Sequence, residues 1–191
     1  MKTRESGMPD QTWWESFFDR DAVMRLFLGP YGCDGDAVEF GSGYGTFSIP
    51  AARLTKGTLH ALDIEPELVD GLHQRAVSLG IRNIHPTIRD FVKDGTGLRS
   101  QSQSHAMIYN LLHMENPIGL LKEAWRVLRS GGTLSVMHWR SDIVTPRGPS
   151  LDIRPSPTQC AEWMGEAGFS QIQPIDITEA CPYHFGITGT R

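Results

Sequence analysis

Along this chain the apolar residues fall into two recurring patterns, short continuous runs and stretches of helical period, and their alternation predicts most of the architecture. Residues 1–11 are polar and read as a loose tail. Thr12-Trp13-Trp14-Glu15 then has the S/T-x-x-E form of a helix capping box, and Phe17, Phe18, Val23, Met24, Phe27 and Leu28 give the following segment an apolar face until Gly29-Pro30 stops it. Two short helices broken near residues 19–21 fit that pattern. Residues 37–40 read as a buried strand, 47–54 as a helix and 58–62 as a second strand. The next helix covers about 66–80, with Pro66 where a missing N–H loses no partner. A third strand spans 83–88, a polar connection 93–104 and a fourth strand 106–111. Asn116-Pro117 opens a helix with Ile118, Leu121, Trp125 and Leu128 on one face, and Ser130-Gly131-Gly132 reads as its glycine cap. A fifth strand (133–138), a loop rich in Pro and Arg (140–155) and a helix opened by Ser156-Pro157 follow, the helix turning Cys160, Trp163, Met164 and Ala167 inward. Runs at 171–177 and 183–188 have no helix between them and read as an antiparallel hairpin at one sheet edge.

The expected fold class is therefore α/β: a doubly wound, Rossmann-like, mostly parallel seven-stranded sheet, helices on both faces, with a C-terminal antiparallel hairpin. A length of 191 residues suits one such domain. Residues 1–35 form its tail and leading helices, and 36–191 its ligand-binding body. The net charge of -4 works against a nucleic-acid polyanion as the main partner. Cys33, Cys160 and Cys181 lack CxxC spacing, which fits a reducing, cytoplasmic setting, and no run of about 18 apolar residues offers a membrane span. The seven histidines show no HExxH spacing, so no metal is expected.

Candidate chemistry concentrates at the end of the first strand. Ligands of open α/β sheets bind beyond the carboxyl ends of the strands, and the turn Gly41-Ser42-Gly43-Tyr44-Gly45 lies there. Its glycines allow left-handed backbone and clear side chains from the amides. Asp63 closes the second strand, where a carboxylate can accept both hydroxyls of a ribose, so an adenosine-containing ligand is expected. The glycines run G-x-G-x-G rather than the G-x-G-x-x-G of pyrophosphate binders, and Glu39 stands two residues before the first. A carboxylate there repels a diphosphate and suits a ligand bearing an ammonium and a sulfonium.

On these residues the chain resembles the class I S-adenosylmethionine-dependent methyltransferases. Val38 to Gly45 is similar to that family's first motif, and Leu62-Asp63-Ile64 to its acidic second motif. Arg89-Asp90-Phe91 resembles the adenine-contacting element, and Met107 to His113 the fourth motif, whose strand end faces the reacting methyl. The segment LLKEAWRVLRSGG, residues 120–132, resembles the helix and Gly-Gly turn before strand five. The resemblance implies S-adenosyl-L-methionine as cofactor, held by Glu39, Gly41, Ser42, Gly43, Gly45, Asp63, Ile64, Asp90, Phe91 and Asn110. It also implies methyl transfer to a small-molecule acceptor by in-line displacement, nearest to the quinone-biosynthesis-like members. Strand four lacks the family's usual leading acid, having Ser104-His105, and no role is carried onto His105. The Asn-Pro-Pro-aromatic run of base-amine methyltransferases is absent, which disfavours DNA and RNA substrates.

Several assignments stay open at the level of sequence. Asn110, His113 and His138 are the candidate catalytic residues: a histidine serves as base only if the acceptor must lose a proton, and both are otherwise structural. Trp13, Trp14, Phe17 and Phe18 are either core or a lid, and Arg140, Arg147 and Arg154 either solvated or ligands for an anionic acceptor. An NAD(P)-dependent oxidoreductase and a non-catalytic S-adenosylmethionine-binding protein are the alternative functions. The oligomeric state is not legible.

Overall fold

A computed structural model of the chain describes residues 7–191, and the first six residues of the expected tail lie outside the described part. Two short helices lead, α1 (Gln11–Glu15) and α2 (Arg20–Leu28). Their N-caps are Asp10 and Asp19, which accept from the amides of Trp13 and Ala22. The capping box at Thr12 is thus corrected: the Asp10 carboxylate is the cap, and Thr12 lies inside the helix. Alternation then follows as β1 (Ala37–Phe40), α3 (Ser48–Leu54), β2 (Leu59–Asp63), α4 (Pro66–Ser78) and β3 (Ile84–Ile88). Next come α5 (Phe91–Asp94), β4 (Gln103–Tyr109), α6 (Pro117–Val127), β5 (Leu128–Trp139), α7 (Pro157–Glu166), β6 (Ser170–Ile175) and β7 (His184–Thr190).

Two expectations fail locally. Ser130-Gly131-Gly132 is not the cap of α6: the helix already ends at Val127, and the backbone is extended from Leu128. Gly131 keeps a left-handed φ of 73°, and its amide donates to the carbonyl of Arg191, so the glycines bend the start of β5 around the chain's last residue. An unforeseen turn of helix, α5, capped by Asp90, also runs from Phe91 into the start of the polar connection before strand four. At four residues it is too short to leave a periodic signal.

The sheet has seven strands in the order β3-β2-β1-β4-β5-β7-β6. β1 to β5 are mutually parallel, whereas β7 is antiparallel to both β5 and β6. Strand alternation sends successive side chains to opposite faces. Val38, Phe40, Ile108 and Val136 pack against α6 and α7 through Leu121, Ala124, Cys160 and Met164. Ala37, Met107 and Met137 pack on the other face with Val23, Met24, Ala51 and Ala52 of α2 and α3. Because β1 has β2 on one side and β4 on the other, connections leave it in opposite directions, and their divergence opens a crevice at the carboxyl ends of β1 and β4.

Candidate cofactor and acceptor site

The turn after β1 faces that crevice. Gly41, Gly43 and Gly45 have φ of 73°, 52° and 74°, in the left-handed region that side-chain-bearing residues avoid. A Cβ on Gly45 would also collide with the buried Leu72 of α4. The Asp63 carboxylate fixes the turn from the side: the amide of Gly43 donates to Oδ2 at 2.7 Å and that of Glu65 to Oδ1 at 3.1 Å. Burial raises the Asp63 pKa despite these bonds. The expected ribose acid is therefore also the brace of the glycine turn.

Glu39 is placed more deeply than its charge suggested. It is 1% exposed and accepts from the hydroxyl of Ser48 on α3. Burial, with a smaller push from nearby Asp63, moves its pKa to about 8. Its carboxyl lies under the turn, within the interior. Farther along the crevice Asp90 caps α5, with the Lys93 amide donating to Oδ1 at 3.0 Å, and Phe91 packs edge-on against Phe40 at 5.4 Å between centroids. Ile64 is half-buried beside Asp63.

At the end of β4, Asn110 is one of three non-glycine residues with positive φ among those described, at 58°. Such a conformation held outside a tight turn marks a place where surroundings over-determine the backbone. Its amide donates to the Met137 carbonyl at 2.7 Å. Two buried polar atoms near this edge lack a protein partner, Asn110 Oδ1 and Ser42 Oγ. The β1–β4 pairing aligns Ala37 with His105 and Phe40 with Ile108, and continuing it places Ser42 opposite Asn110. Orphaned polar atoms are costly in an interior unless something else satisfies them. Together with the bare glycine backbone, they fit the polar groups of a nucleoside bearing an amino-acid tail.

His113 and His138 are brought together. His113 Nδ1 lies 3.2 Å from His138 Nε2, and His138 Nδ1 lies 3.2 Å from the Trp139 carbonyl. His138 is fully buried, and desolvation lowers its pKa to about 3, so it is neutral; His113 is half-buried. Sequence reasoning missed two further participants, His184 and Cys181. His184 Nε2 lies 3.3 Å from Asn110 Nδ2, and its Nδ1 is 3.0 Å from Cys181 Sγ. His184 occurs within a predicted strand far along the chain, and only its pairing opposite Trp139 brings it here. His105 stands apart, bonded within the sheet to Thr133 and Ser135.

The leading segment packs against the glycine turn. Trp14 Nε1 donates to Thr46 at 3.1 Å, Tyr44 donates to the Pro9 carbonyl at 2.7 Å, and Met8 lies against Gly43. Residues 7–10 are thus held in place, contrary to the loose tail expected there. Glu15 ties the segment to Arg75 of α4 at 2.6 Å and to Arg20 at 2.7 Å. Arg147 donates to the Gly7 carbonyl, Arg154 donates to the carbonyls of Pro149, Arg140 and Arg147, and Arg140 pairs with Asp142. The three arginines of the loop after β5 are accordingly engaged within the protein. A cleft of about 740 Å³ lies between residues 15–21 and the link before β7, and no residue of the glycine turn lines it. Among the described residues no cluster of three His, Cys, Asp or Glu is placed to hold a metal, and no helix is long and apolar enough to cross a membrane.

Residues 37–132 match the family described as "Methyltransferase domain", the span from β1 into β5 that carries all the crevice residues except those of β5 beyond Gly132 and β7. The chain belongs to that family. A structure described as a SAM-dependent methyltransferase from Aquifex aeolicus superposes with a TM-score of 0.76 at 19% identity, covering 94% of this chain and 93% of that one. A geranyl diphosphate C-methyltransferase from Streptomyces coelicolor A3(2), in complex with Mg2+, geranyl diphosphate and S-adenosyl-L-homocysteine, gives 0.73 at 15% identity, covering 90% and 78%. The [4+2]-cyclase SpnF gives 0.70 at 15% identity, covering 98% and 84%. No curated protein matches the sequence. Family and fold together make this methyltransferase-domain protein a class I, S-adenosylmethionine-dependent enzyme.

Proposed function

We propose that the enzyme methylates a small organic acceptor in the crevice between β1 and β4, beneath the leading segment. The observation that carries this is the meeting, at one edge, of a turn with three left-handed glycines and two unpartnered buried polar atoms, Ser42 Oγ and Asn110 Oδ1. The bound cofactor supplies an electrophilic methyl on a sulfonium. Gly41, Ser42, Gly43 and Gly45 line it with backbone whose amides already donate to Leu62, Asp63 and Ser42, and Asp63, whose oxygens keep second lone pairs, receives the ribose hydroxyls. Ile64, Asp90 and Phe91 hold the adenine end. Glu39, buried and bonded to Ser48, supports the turn from below, and its carboxyl holds a proton at neutral pH.

Transfer from a sulfonium is an in-line displacement that asks mainly for alignment and dryness. Met8, Trp14 and Tyr44 supply the dryness by sealing the turn, so the described part of segment 1–35, from residue 7 onward, acts as the lid of a domain spanning 36–191. Where an acceptor must lose a proton, His113 is placed to take it. The Trp139 carbonyl can only accept, so His138 Nδ1 carries hydrogen and its Nε2 accepts from His113 Nδ1. That order leaves His113 Nε2 in its lone-pair form, with His138 as the group that orients it. The buried aromatic wall of Trp14, Phe17 and Trp139, with the loop arginines committed elsewhere, favours an uncharged acceptor.

The test is release of S-adenosylhomocysteine on incubation with S-adenosylmethionine and a library of small metabolites, alongside calorimetric binding of S-adenosylhomocysteine. Binding and turnover with a member of the library support the reading. Binding without turnover for any acceptor would mark a non-catalytic cofactor-binding protein, and preferential stabilisation by NADH would mark an oxidoreductase.

A further inference from the structure

The hydrogen-bonded chain behind Asn110 has no place in the mechanism so far, and its chemistry has a direction. Met137 Sδ, which can only accept, lies 3.9 Å from Cys181 Sγ. Asn110 faces His184 Nε2 with its donor-only Nδ2, an arrangement that leaves the Cys181 thiol hydrogen to Met137, and burial keeps that thiol protonated by pushing its pKa up. The sulfur then meets His184 Nδ1 at 3.0 Å as an acceptor, so Nδ1 carries the ring hydrogen. His184 is 2% exposed and neutral, with a pKa held well below the usual range by burial, so it has one ring hydrogen and its Nε2 must be the lone pair. A lone pair at 3.3 Å from Asn110 holds the amide's NH2 end and turns the carbonyl oxygen away. That oxygen is the buried Oδ1 left without a protein partner.

Strand alternation alone would put Asn110 on the face of Ile108 and His138. Its φ of 58° breaks the alternation and lets the side chain reach His184, which shares the other face with Trp139 and Phe18. Left-handed backbone, the His184 lone pair and the Cys181–Met137 contact all act on one amide. We propose that His184 is a positioning residue, polarised by Cys181, that locks Asn110 with its carbonyl oxygen presented to the ammonium of the cofactor's amino-acid end. The assignment rests on the reading of this crevice as the cofactor site.

The test has two arms. In the unliganded protein, nitrogen NMR of the imidazole rings is expected to show His184 protonated on Nδ1; protonation on Nε2 reverses the chain and overturns the assignment. In the second arm, calorimetry compares S-adenosylhomocysteine with 5′-methylthioadenosine, which lacks the amino-acid end. His184→Phe keeps the ring packed on Trp139 and Phe18 while removing Nε2. It and Asn110→Ala are each expected to weaken S-adenosylhomocysteine binding roughly ten-fold, and the double variant no more than either. Methylthioadenosine affinity is expected to stay unchanged in all three. If His184→Phe fails to fold, Cys181→Ala, which removes the partner that fixes the ring hydrogen, takes its place with an expected loss of roughly two- to five-fold. Additive losses, or equal losses for both compounds, overturn the positioning role. Wild-type protein that binds neither compound overturns the cofactor site itself and the ligand assigned to Asn110, an outcome distinct from an inverted His184 ring in a protein that does bind.

Discussion

Acidification is expected to destabilise this protein from within its sheet. His105 and His138 are buried at or near full depth, and desolvation lowers their pKa values from 6.5 to about 4 and about 3; His184 is also held well below 6.5. Each ring is neutral in the folded chain and takes a proton in the unfolded one once the pH drops below 6.5. The unfolded state therefore binds more protons there, and stability rises with pH. Between pH 6.5 and 4.5 a ring that stays neutral only when folded loses about 2 kcal/mol, at about 1.36 kcal/mol per unit, so His105 and His138 together lose about 4, and His184 adds to the loss in the same direction. Glu39 acts in the opposite sense: its pKa is raised from 4.5 to about 8, so its contribution is full below 4.5 and is lost as pH rises through 8. Across the same interval it returns about 2 kcal/mol, leaving a net loss of about 2 kcal/mol to which His184 adds, and Asp63, also raised, trims this. A loss of that size is a substantial fraction of a domain's total stability, about 5–15 kcal/mol. Urea unfolding at half-unit steps from pH 4.5 to 8 should give maximal stability near pH 6.5, a steep fall below it and a shallow one above. His105→Gln should reduce the acid slope by about one proton. A flat profile from 6.5 to 4.5 would refute the claim that these rings are buried neutral.

The remaining predictions concern the crevice. Gly45→Ala forces a side chain into left-handed backbone and against Leu72; at about 1–2 kcal/mol for the first and about 1–3 for the second, a loss of about 3 kcal/mol and a fall in Tm of about 6–12 °C should appear in calorimetry. Asp63→Ala should weaken S-adenosylhomocysteine binding by about 1–3 kcal/mol in a folded protein, and unchanged affinity would remove Asp63 from the ribose site. Trp14→Phe deletes the bond to Thr46 while keeping the aromatic cluster, and should speed cofactor dissociation in stopped flow by roughly five-fold; an unchanged rate would argue that the leading segment does not act as a lid. His113→Gln should abolish the acidic limb of kcat/KM for an acceptor that must be deprotonated, and an unaltered pH profile would dismiss it as base.

Much of the fold was legible because its elements are written locally. Runs such as Ala37–Phe40 and Leu59–Asp63 are buried on both faces and read as parallel strands, and Pro66, Pro117 and Pro157 mark helix starts, since their missing N–H falls where none is needed. The glycine turn and Asp63 were legible for the same reason: a bare turn after one strand and an acid ending the next are short-range patterns. The leading segment misled because two acceptable caps, Asp10 and Thr12, stand two residues apart, and local pattern does not choose between them. The Gly-Gly at 131–132 misled because glycine permits left-handed backbone in a strand start as readily as in a helix cap.

What the sequence determined by itself was the alternation of elements and the turn they converge on, since hydrophobic period and backbone freedom are properties of neighbouring residues. Charge was decided by burial instead: Glu39 sits under the turn as a carboxyl that keeps its proton at neutral pH, because desolvation depends on what packs around a side chain. The partnership of Asn110 with His184 and Cys181 spans more than seventy residues and arises from β7 running antiparallel beside β5. Only the assembled sheet could bring those groups together, because hydrogen bonds are made across space while the chain specifies order along its length.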